Sequence, residues 1–163
     1  MISTNSFCRA FVATALAVVS LSATEFREAA PTFRLINSEG APVSLSQYKG
    51  KVVLLDFWAT WCTGCKVEIP WYMQFSTKYN GDGLVVLGVA MDDTWKPVRP
   101  FVKEKKMNYP VVLGNKEIAK QYRLTSMPKT LLIDRNGRIA YSFTGIVDRD
   151  KFESELKSLL AAR

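Results

Sequence analysis

The sequence predicts an α/β fold, a three-layer sandwich in which helices cover both faces of a central mixed sheet. Two apolar runs, Val52–Trp58 and Leu84–Ala90, are nearly continuous and therefore typical of strands that are buried on both faces. A helical pattern over 64–79 separates them, and apolar residues spaced from Phe152 to Leu160 predict a closing helix. This alternation of strands and helices predicts one domain built on a single sheet.

The residues before the first buried run predict a hairpin extension. Phe33–Ile36 and Val43–Leu45 are short apolar segments on either side of Asn37–Gly40, whose composition is typical of a turn. Ser46–Gly50 then predicts one helical turn that ends at a glycine. Val52–Trp58 follows as a central strand, which is expected to be parallel to its neighbour.

The helix predicted from Gly64 to Tyr79 has a broad apolar face. That face consists of Val67, Ile69, Trp71, Tyr72 and Phe75. Pro70 lies within the helix and removes the hydrogen bond to the carbonyl of Lys66, so a kink is expected there.

The second half of the chain predicts an inserted helix and a hairpin. Asp93 or Thr94 is a candidate N-cap for a helix that runs to about Lys106, with Pro97 in its first turn and Pro100 within it. The shorter elements that follow are a strand at Pro110–Leu113, a helix at Glu117–Tyr122, a strand at Thr130–Ile133, a turn at Asp134–Gly137 and a strand at Arg138–Phe143.

Residues 1–23 have the composition of a secretory signal. Arg9 precedes the apolar stretch Ala10–Val19, which is shorter than the roughly 20 residues of a spanning helix. Leu21 occupies the place where a small residue would suit cleavage after residue 23. A cleaved signal and a retained N-terminal anchor both remain open, and both place the domain outside the cytoplasm, in the periplasm of a bacterium.

The remaining chain divides into a short linker and one domain. Residues 24–32 are mostly polar and predict a linker, and 33–163 predict the folded domain. Removal of the first segment also removes Cys8, which leaves Cys62 and Cys65. Two cysteines in an oxidising compartment suit a catalytic pair better than a disulfide framework, which uses more bridges.

The composition excludes several kinds of site. The chain contains no histidine, which excludes a Ser/His/Asp or Cys/His catalytic pair and an ordinary histidine metal site. Cys62 and Cys65 alone do not complete a tetrahedral zinc shell, so no metal is expected. The net charge is +7, but the basic residues are scattered and not interleaved with aromatics, so nucleic-acid binding is not expected.

Cys62 and Cys65 carry the clearest chemical signal in the chain. They form a C-x-x-C directly after a buried strand and at the start of a helix, so both sulfurs are expected at a helix N-terminus. The unpaired N–H groups and the positive end of the helix dipole there favour a thiolate over a thiol. A thiolate beside a second thiol can attack a disulfide and then be released by its neighbour. The pair is expected to act as a redox-active disulfide without any other cofactor.

Motifs on both sides of this pair resemble a known family. They are Ala30–Leu35, Leu45–Leu54, Phe57–Cys62 with Cys65, Glu68–Pro70, and Met127–Thr130 ahead of Ile133, Asp134 and Gly137. The chain resembles the thioredoxin-fold extracytoplasmic thiol–disulfide oxidoreductases of TlpA/ResA type, within the redoxin (AhpC/TSA-like) superfamily. The resemblance covers about residues 31–160 and implies a thioredoxin-like sandwich with an N-terminal β-hairpin extension and an inserted helix.

The resemblance implies roles for individual residues. Cys62 matches the exposed nucleophile and Cys65 the buried resolving thiol. Pro128 matches a cis-proline that faces the disulfide, which leaves the backbone of Met127 free to pair with an extended substrate. Trp61 and Met127 are the candidate substrate-binding residues. Trp58 is interpreted as a core aromatic.

Two carboxylates compete for the proton-handling role. Asp56 lies six residues before Cys62, where thioredoxins keep a buried aspartate beneath the active site. Burial should raise the pKa of Asp56 and let it accept the proton of Cys65. The lysine that thioredoxins place on the neighbouring strand is missing from 84–91. Glu68 is one helical turn after Cys65 and is interpreted mainly as structural, with proton relay as the alternative.

The dipeptide between the cysteines bears on the direction of electron flow. Thr63 and Gly64 replace the pattern with proline before the second cysteine that the family usually carries. Disulfide potentials in this fold span roughly −270 to −120 mV, and the oxidising end requires a strongly stabilised thiolate. Because no histidine or other cation lies between the cysteines, we predict a potential near the reducing end.

The leading hypothesis is a reductase of disulfides in extracytoplasmic proteins. The resemblance implies a membrane thiol transporter as electron donor, and apocytochrome c among the possible substrates. A monomer is expected. The alternatives are an oxidase or isomerase on the same scaffold, or a binding module in which the cysteines form a structural bridge or carry a metal. A peroxidase is disfavoured because Leu55 and Ala59 occupy positions of the required Pro-x-x-x-Thr-x-x-Cys pattern.

Overall fold

The computed structural model describes residues 28–162, and these fold into the predicted α/β sandwich. The strands are β1 (Arg34–Asn37), β2 (Pro42–Ser44), β3 (Val52–Trp58), β4 (Leu84–Ala90), β5 (Val111–Leu113), β6 (Lys129–Ile133) and β7 (Ile139–Thr144). The helices are α1 (Thr63–Tyr79), α2 (Trp95–Lys105), α3 (Lys116–Gln121) and α4 (Arg149–Ala161). A 3₁₀ turn at Leu45–Tyr48 follows β2, as predicted. The predicted segment 1–23 lies outside the described residues.

The strands form one mixed sheet in which β3 is central. In the part of the chain that the structure describes, seven strands follow the order β2-β1-β5-β4-β3-β6-β7. β3 is parallel to β4, as predicted, and antiparallel to β6. All its residues are buried, because helices cover both faces and strands flank both edges. The cysteine motif therefore directly follows a strand that is fully buried and paired on both edges.

The sheet separates two apolar cores. One face packs against α1, α2 and α4, with Tyr72, Val98 and Phe152 among the buried side chains. The other face packs against α3 and the 3₁₀ turn through residues such as Leu45 and Ile118. Trp58 is fully buried in the first core, as its interpretation as a core aromatic predicts. This division explains why β3 and β4 are apolar along their whole length, because their successive side chains alternate between the two cores.

The N-terminal hairpin is present, but the domain begins earlier than predicted. β1 and β2 pair antiparallel, and β1 continues the sheet through β5. Ala29 forms a bridge with Arg138, and the N–H of Ala30 donates to the carbonyl of Gly137 over 2.9 Å. Ala30 is buried. Within the predicted linker 24–32, residues 28–30 therefore pair with the segment that enters β7, and the carbonyl of Pro31 accepts the hydroxyl of Tyr122, so this described part packs on the domain, whereas 24–27 lie outside the described residues.

α1 has the predicted bounds within one residue, but one residue of its predicted apolar face is wrong. Ile69, Tyr72 and Phe75 are buried as predicted. Val67 is instead 44% exposed, because this position of the helix faces solvent beside the cysteine motif. Pro70 lies inside the helix, and the predicted kink at this residue stays a prediction.

α2 begins and ends as the pattern predicts. The hydroxyl of Thr94 accepts the N–H of Lys96, so Thr94 rather than Asp93 is the N-cap. Lys106 ends the helix with a left-handed backbone of φ 52°, and its N–H donates to the carbonyl of Lys103. This helix is the predicted insertion between β4 and β5.

One arginine joins three separate segments at the end of the sheet away from the cysteines. The guanidinium of Arg135 donates to the carbonyls of Gly50 and Asp82, at 3.0 and 3.1 Å. It also donates to the carbonyls of Leu160 and Ala162, at 3.1 and 3.2 Å. Arg135 therefore ties the entrances of β3 and β4 to the last turn of α4.

Among residues 28–162, no helix has both the length and the apolar character needed to span a membrane.

Candidate active site

The two cysteines of the motif form a disulfide at the first turn of α1. Cys62 is the N-cap of the helix, and its Sγ accepts the N–H of Cys65 over 3.2 Å. Cys62 is 6% exposed and Cys65 is 1% exposed. Both cysteines are therefore buried in the disulfide form, which differs from the expectation of an exposed Cys62, although Cys62 is the more accessible of the two.

Pro128 lies beside the motif, in the loop that leads into β6. The Met127–Pro128 peptide bond is cis, as the resemblance implies. A Cβ placed on Gly64 would lie 3.0 Å from Cδ of Pro128 and 3.2 Å from Cγ1 of Ile146. Gly64 therefore lets the segment between the cysteines pack closely against the proline ring, a role that the sequence alone did not indicate.

An apolar surface borders the disulfide. Trp61 is 65% exposed and Ile146 is 58% exposed, and Met127 is half-buried. Several exposed apolar side chains grouped around one reactive site suit contact with a partner chain. Trp61 and Met127 are the substrate-binding residues named from the sequence. Ile146 was missed, although its position directly after Gly145 in a polar loop is a signal that could have found it.

Asp92 fixes the loop that carries the motif, and sequence reasoning missed it. Its carboxylate accepts the N–H of Thr60 over 3.0 Å and the hydroxyl of Thr60 over 2.6 Å. Asp92 is buried and lies two residues after the end of β4. Because Trp61 and Cys62 follow Thr60, these two bonds position the reactive sulfur relative to the sheet. An aspartate just after a buried strand was the available signal.

Asp56 is buried beneath the motif without a hydrogen-bond partner. It lies on β3 between Gly88 of β4 and Thr130 of β6 in the strand register. Neither of its carboxylate oxygens has a partner among the described residues. Burial raises the pKa of Asp56 well above its usual range, and the neighbouring carboxylate of Glu68 raises it further.

Glu68 is also buried, and one of its carboxylate oxygens has a hydrogen-bond donor, whereas Oε2 has none among the described residues. Its Oε1 accepts the N–H of Val147 over 2.8 Å, from the loop before α4. Burial raises the pKa of Glu68, while the hydrogen bonds from Val147 and from Tyr72 oppose that rise. The structure thus brings both candidate carboxyl groups into one buried cluster, and it gives them different surroundings.

Two hydroxyl groups complete this cluster. The hydroxyls of Tyr72 and Thr130 are hydrogen-bonded at 2.9 Å. Burial raises the pKa of Tyr72 well above its usual range, and the charges of Asp56 and Glu68 add to the rise. Tyr72 therefore remains a neutral phenol, hydrogen-bonded to the hydroxyl of Thr130, the residue of β6 that is paired with Asp56.

The described residues contain no group of three metal-ligating side chains (histidine, cysteine, aspartate or glutamate) in reach of one another. The arrangement supports dithiol–disulfide exchange, because it combines two sulfurs at a helix N-terminus with buried acids that can take a proton.

Comparison with known proteins agrees with this chemistry. The AhpC/TSA family matches residues 26–142. A thiol-disulfide oxidoreductase ResA from Bacillus thuringiensis subsp. konkukian is 32% identical over 136 residues, which is 83% of this chain and 79% of that protein. A second ResA, from Oceanobacillus iheyensis, is 35% identical over 137 residues, 81% of this chain and 71% of that protein.

A solved structure also matches the fold closely. It is described as a thiol:disulfide interchange protein DsbE from Chlorobium tepidum, with a TM-score of 0.80 and 31% identity. The match covers 83% of this chain and 97% of that one. Cys62 and Cys65 are the dithiol of this chain, and its substrates are protein thiols and disulfides. The chain therefore belongs to the AhpC/TSA family, as a thiol–disulfide oxidoreductase of TlpA/ResA type with a thioredoxin fold.

Proposed function

We propose that this protein reduces disulfides in extracytoplasmic proteins. The observation that carries the proposal is the position of the Cys62–Cys65 disulfide at the start of α1, without a cation between the two cysteines, in a fold that also buries the carboxyl groups of Asp56 and Glu68. A helix N-terminus alone supplies modest stabilisation of a thiolate. The strongly oxidising members of this fold need far more, so the balance here favours a dithiol that gives electrons away.

The proposed reaction begins with the thiolate of Cys62. It attacks one sulfur of the substrate disulfide, forms a mixed disulfide and displaces the other substrate sulfur as a thiolate. Cys65 then loses its proton and attacks Sγ of Cys62, which releases the second substrate sulfur. The substrate has gained two electrons, and the Cys62–Cys65 disulfide is restored.

Asp56 is the proposed acceptor of the Cys65 proton. Because burial raises its pKa, the ionised form of Asp56 is a stronger base than an ordinary carboxylate. It also has no hydrogen-bond donor among the described residues to stabilise its charge. Glu68 receives the Val147 N–H, so we propose that it holds the loop before α4 and influences Asp56 through its charge.

Pro128 and its neighbours form the proposed substrate cleft. The backbone of Met127 would pair with an extended substrate strand, while Trp61 and Ile146 would contact apolar side chains on either side. This binding mode requires an extended substrate chain that passes close to Cys62, because the side chain of Cys62 is only 6% exposed.

The compartment and the electron donor are part of the proposal. The signal-like composition of residues 1–23 supports an extracytoplasmic, periplasmic location, by secretion or by a retained anchor. A membrane thiol transporter would then supply two electrons to the disulfide. Apocytochrome c is one substrate class compatible with this role, and no cofactor besides the disulfide is required. We also propose that the protein acts as a monomer.

Insulin reduction tests the activity. The protein, recycled by dithiothreitol, should accelerate insulin precipitation, and Cys62→Ser should abolish the acceleration. Cys65→Ser should instead accumulate a mixed disulfide with the substrate. Full activity in Cys62→Ser would contradict the assignment of the nucleophile. A measured potential near the oxidising end, roughly −120 mV, would favour the oxidase or isomerase instead.

A further inference from the structure

We propose that a groove between α1 and α2 binds an acidic, apolar segment of the substrate protein, a few residues away from its reacting cysteine. The groove has a volume of about 680 Å³ and is open along one side. The inference rests on the proposed function, because the segment belongs to the protein that Cys62 attacks. It adds a second recognition surface to the cleft at Pro128.

The lining of the groove between α1 and α2 is largely apolar. Ile69, Pro70 and Met73 of α1 form one wall, and Phe101 of α2 forms the other. Met73 and Phe101 are only half-buried, so their outer surfaces are available to a ligand. Grooves with such linings bind apolar side chains, and polar groups at the rim then select among ligands.

The rim of the groove carries positive charge. Lys66 on α1 and Lys105 on α2 both place their Nζ atoms over the ring of Phe101, 5.9 and 5.8 Å from its centroid. None of the residues that line the groove is acidic. Charge complementarity therefore selects a ligand with carboxylates beside its apolar side chains.

Two lysines at the rim have acidic neighbours outside the groove. Lys105 pairs with Glu104 at 2.9 Å, and both side chains are exposed. Lys78, at the far end, pairs with Glu153 at 2.7 Å. Exposed pairs of this kind contribute little, so a ligand carboxylate can compete for Lys105. Lys66 makes no ion pair within residues 28–162, so its charge is the one most available to a ligand carboxylate.

The position of the groove relates it to the reacting sulfur. The N–H of Lys66 donates to the carbonyl of Cys62 over 3.4 Å, so the groove begins one helical turn from the nucleophile. The groove continues along α1 to Lys78. At a rise of 1.5 Å per residue, it therefore extends from about 6 Å to about 24 Å from Cys62, measured along the helix axis. An extended chain advances about 3.3 Å per residue, so the groove corresponds to substrate positions about two to seven from the cysteine.

The groove is separate from the cleft at Pro128. Gly64 faces Pro128 and Ile146, whereas Lys66, Ile69 and Met73 lie on nearly the opposite side of α1 by helical spacing. A substrate chain that passes over the N-terminus of α1 would reach both. Variants in the groove therefore test recognition without removing the residues of the exchange reaction.

The test uses peptides that contain one disulfide ring and a tail of six residues on either side of it. The tail alternates leucine with glutamate in one peptide, leucine with lysine in a second and serine with glycine in a third. At low ionic strength, kcat/KM for reduction should be about tenfold higher with the glutamate tail than with the lysine tail. Lys66→Glu/Lys105→Glu should bring this ratio to one or below. Lys116→Glu/Lys120→Glu, on the exposed side of α3, should leave it unchanged and is the matched control.

The peptide with the serine and glycine tail separates this inference from the proposed function. Suppose that the parent and Lys66→Glu/Lys105→Glu reduce this peptide equally well, and that the parent reduces the glutamate-tail and lysine-tail peptides at the same rate. The groove proposal is then overturned, and the proposed reductase activity stands. If no peptide is reduced, the proposed function itself fails.

Binding without chemistry gives a second measurement. The glutamate-tail peptide with both cysteines replaced by serine should shift amide resonances of 66–78 and 101–108 and leave 116–121 unmoved. Shifts confined to the surroundings of Pro128, or saturation by dodecanoate at concentrations where the peptide has no effect, would overturn the proposal in favour of another occupant.

Discussion

Asp56 of β3 is paired in register with Gly88 of β4, so the strand neighbour of this buried acid has no side chain. A Cβ on Gly88 would lie 2.9 Å from Nε1 of Trp58 and 3.2 Å from the ring of Tyr109. Two aromatic side chains, those of Trp58 and Tyr109, therefore fill the space beside this glycine. This explains why no cation lies beside Asp56 to lower its pKa, and burial dominates.

The first prediction concerns the stability of the oxidised protein. A folded-state pKa above the unfolded value means that the folded protein holds a proton that the unfolded chain releases above about pH 4. Stability attributable to Asp56 is thus greatest at acid pH and falls as pH rises towards its folded pKa. Asp56→Asn should raise the free energy of unfolding by about 1–3 kcal/mol at pH 7–8 and by little near pH 4.

Urea denaturation across this pH range measures the effect. Asp93→Asn, the same substitution at an exposed position, is the matched control. A difference between parent and Asp56→Asn that does not vary with pH would contradict a raised pKa.

The second prediction concerns the coupling between the two buried acids. Glu68→Gln removes a negative charge beside Asp56, so the pKa of Asp56 should fall. The glutamine retains an oxygen for the N–H of Val147, so the loop before α4 should stay in place. Infrared difference spectra against Asp56→Asn report the protonated carboxyl of Asp56. Its titration midpoint should move to lower pH in Glu68→Gln and stay fixed in Glu117→Gln, whose side chain is exposed.

The third prediction concerns the loop before the cysteines. Asp92→Ala leaves the N–H and the hydroxyl of Thr60 without their acceptor, which should cost about 1–3 kcal/mol of stability. Because Cys62 follows closely, insulin reduction by the folded variant should slow by about tenfold. Asp93→Ala should change neither quantity, since Asp93 is exposed. An unchanged rate in Asp92→Ala would show that Thr60 does not position the sulfur.

The fourth prediction concerns Arg135. Its guanidinium donates to four backbone carbonyls, so Arg135→Ala should lower the free energy of unfolding by about 2–5 kcal/mol. Arg135→Lys should recover only part of the loss, because an ammonium group does not reproduce the planar fork of donors. Insulin reduction by the folded variant should be unchanged, because Gly50 and Asp82 precede β3 and β4 and the disulfide follows β3. A lower rate without a loss of stability would contradict this assignment.

Local patterns were sufficient to predict the order of the elements. The continuous apolar runs of β3 and β4 predicted inner strands, and the spacing of apolar residues in α1 and α4 predicted helices. The cysteine motif was found for the same reason, since C-x-x-C, its flanking strand and its flanking helix are contiguous. Pro128 required the family resemblance, because nothing local places it beside Gly64.

The residues that were missed depend on contacts between distant parts of the chain. Asp92 acts on Thr60, 32 positions away, and Arg135 reaches Gly50, 85 positions away. Val67 was assigned to the core because apolar character alone does not reveal which helix face meets the sheet. Ala30 was assigned to a linker, although its backbone bonds to Gly137 far along the chain. Such pairings are decided by tertiary packing.

The hydrogen bonds from Arg135 to the carbonyls of Leu160 and Ala162 fix the C-terminal end of α4. The last carbonyls of a helix normally lack partners, and the final turn then opens and closes independently of the rest. Here the same guanidinium also holds the entrances of two central strands. Backbone amides near the end of α4 should therefore exchange with solvent at the slow rate of the sheet, so that this terminus belongs to the most cooperative unit of the protein.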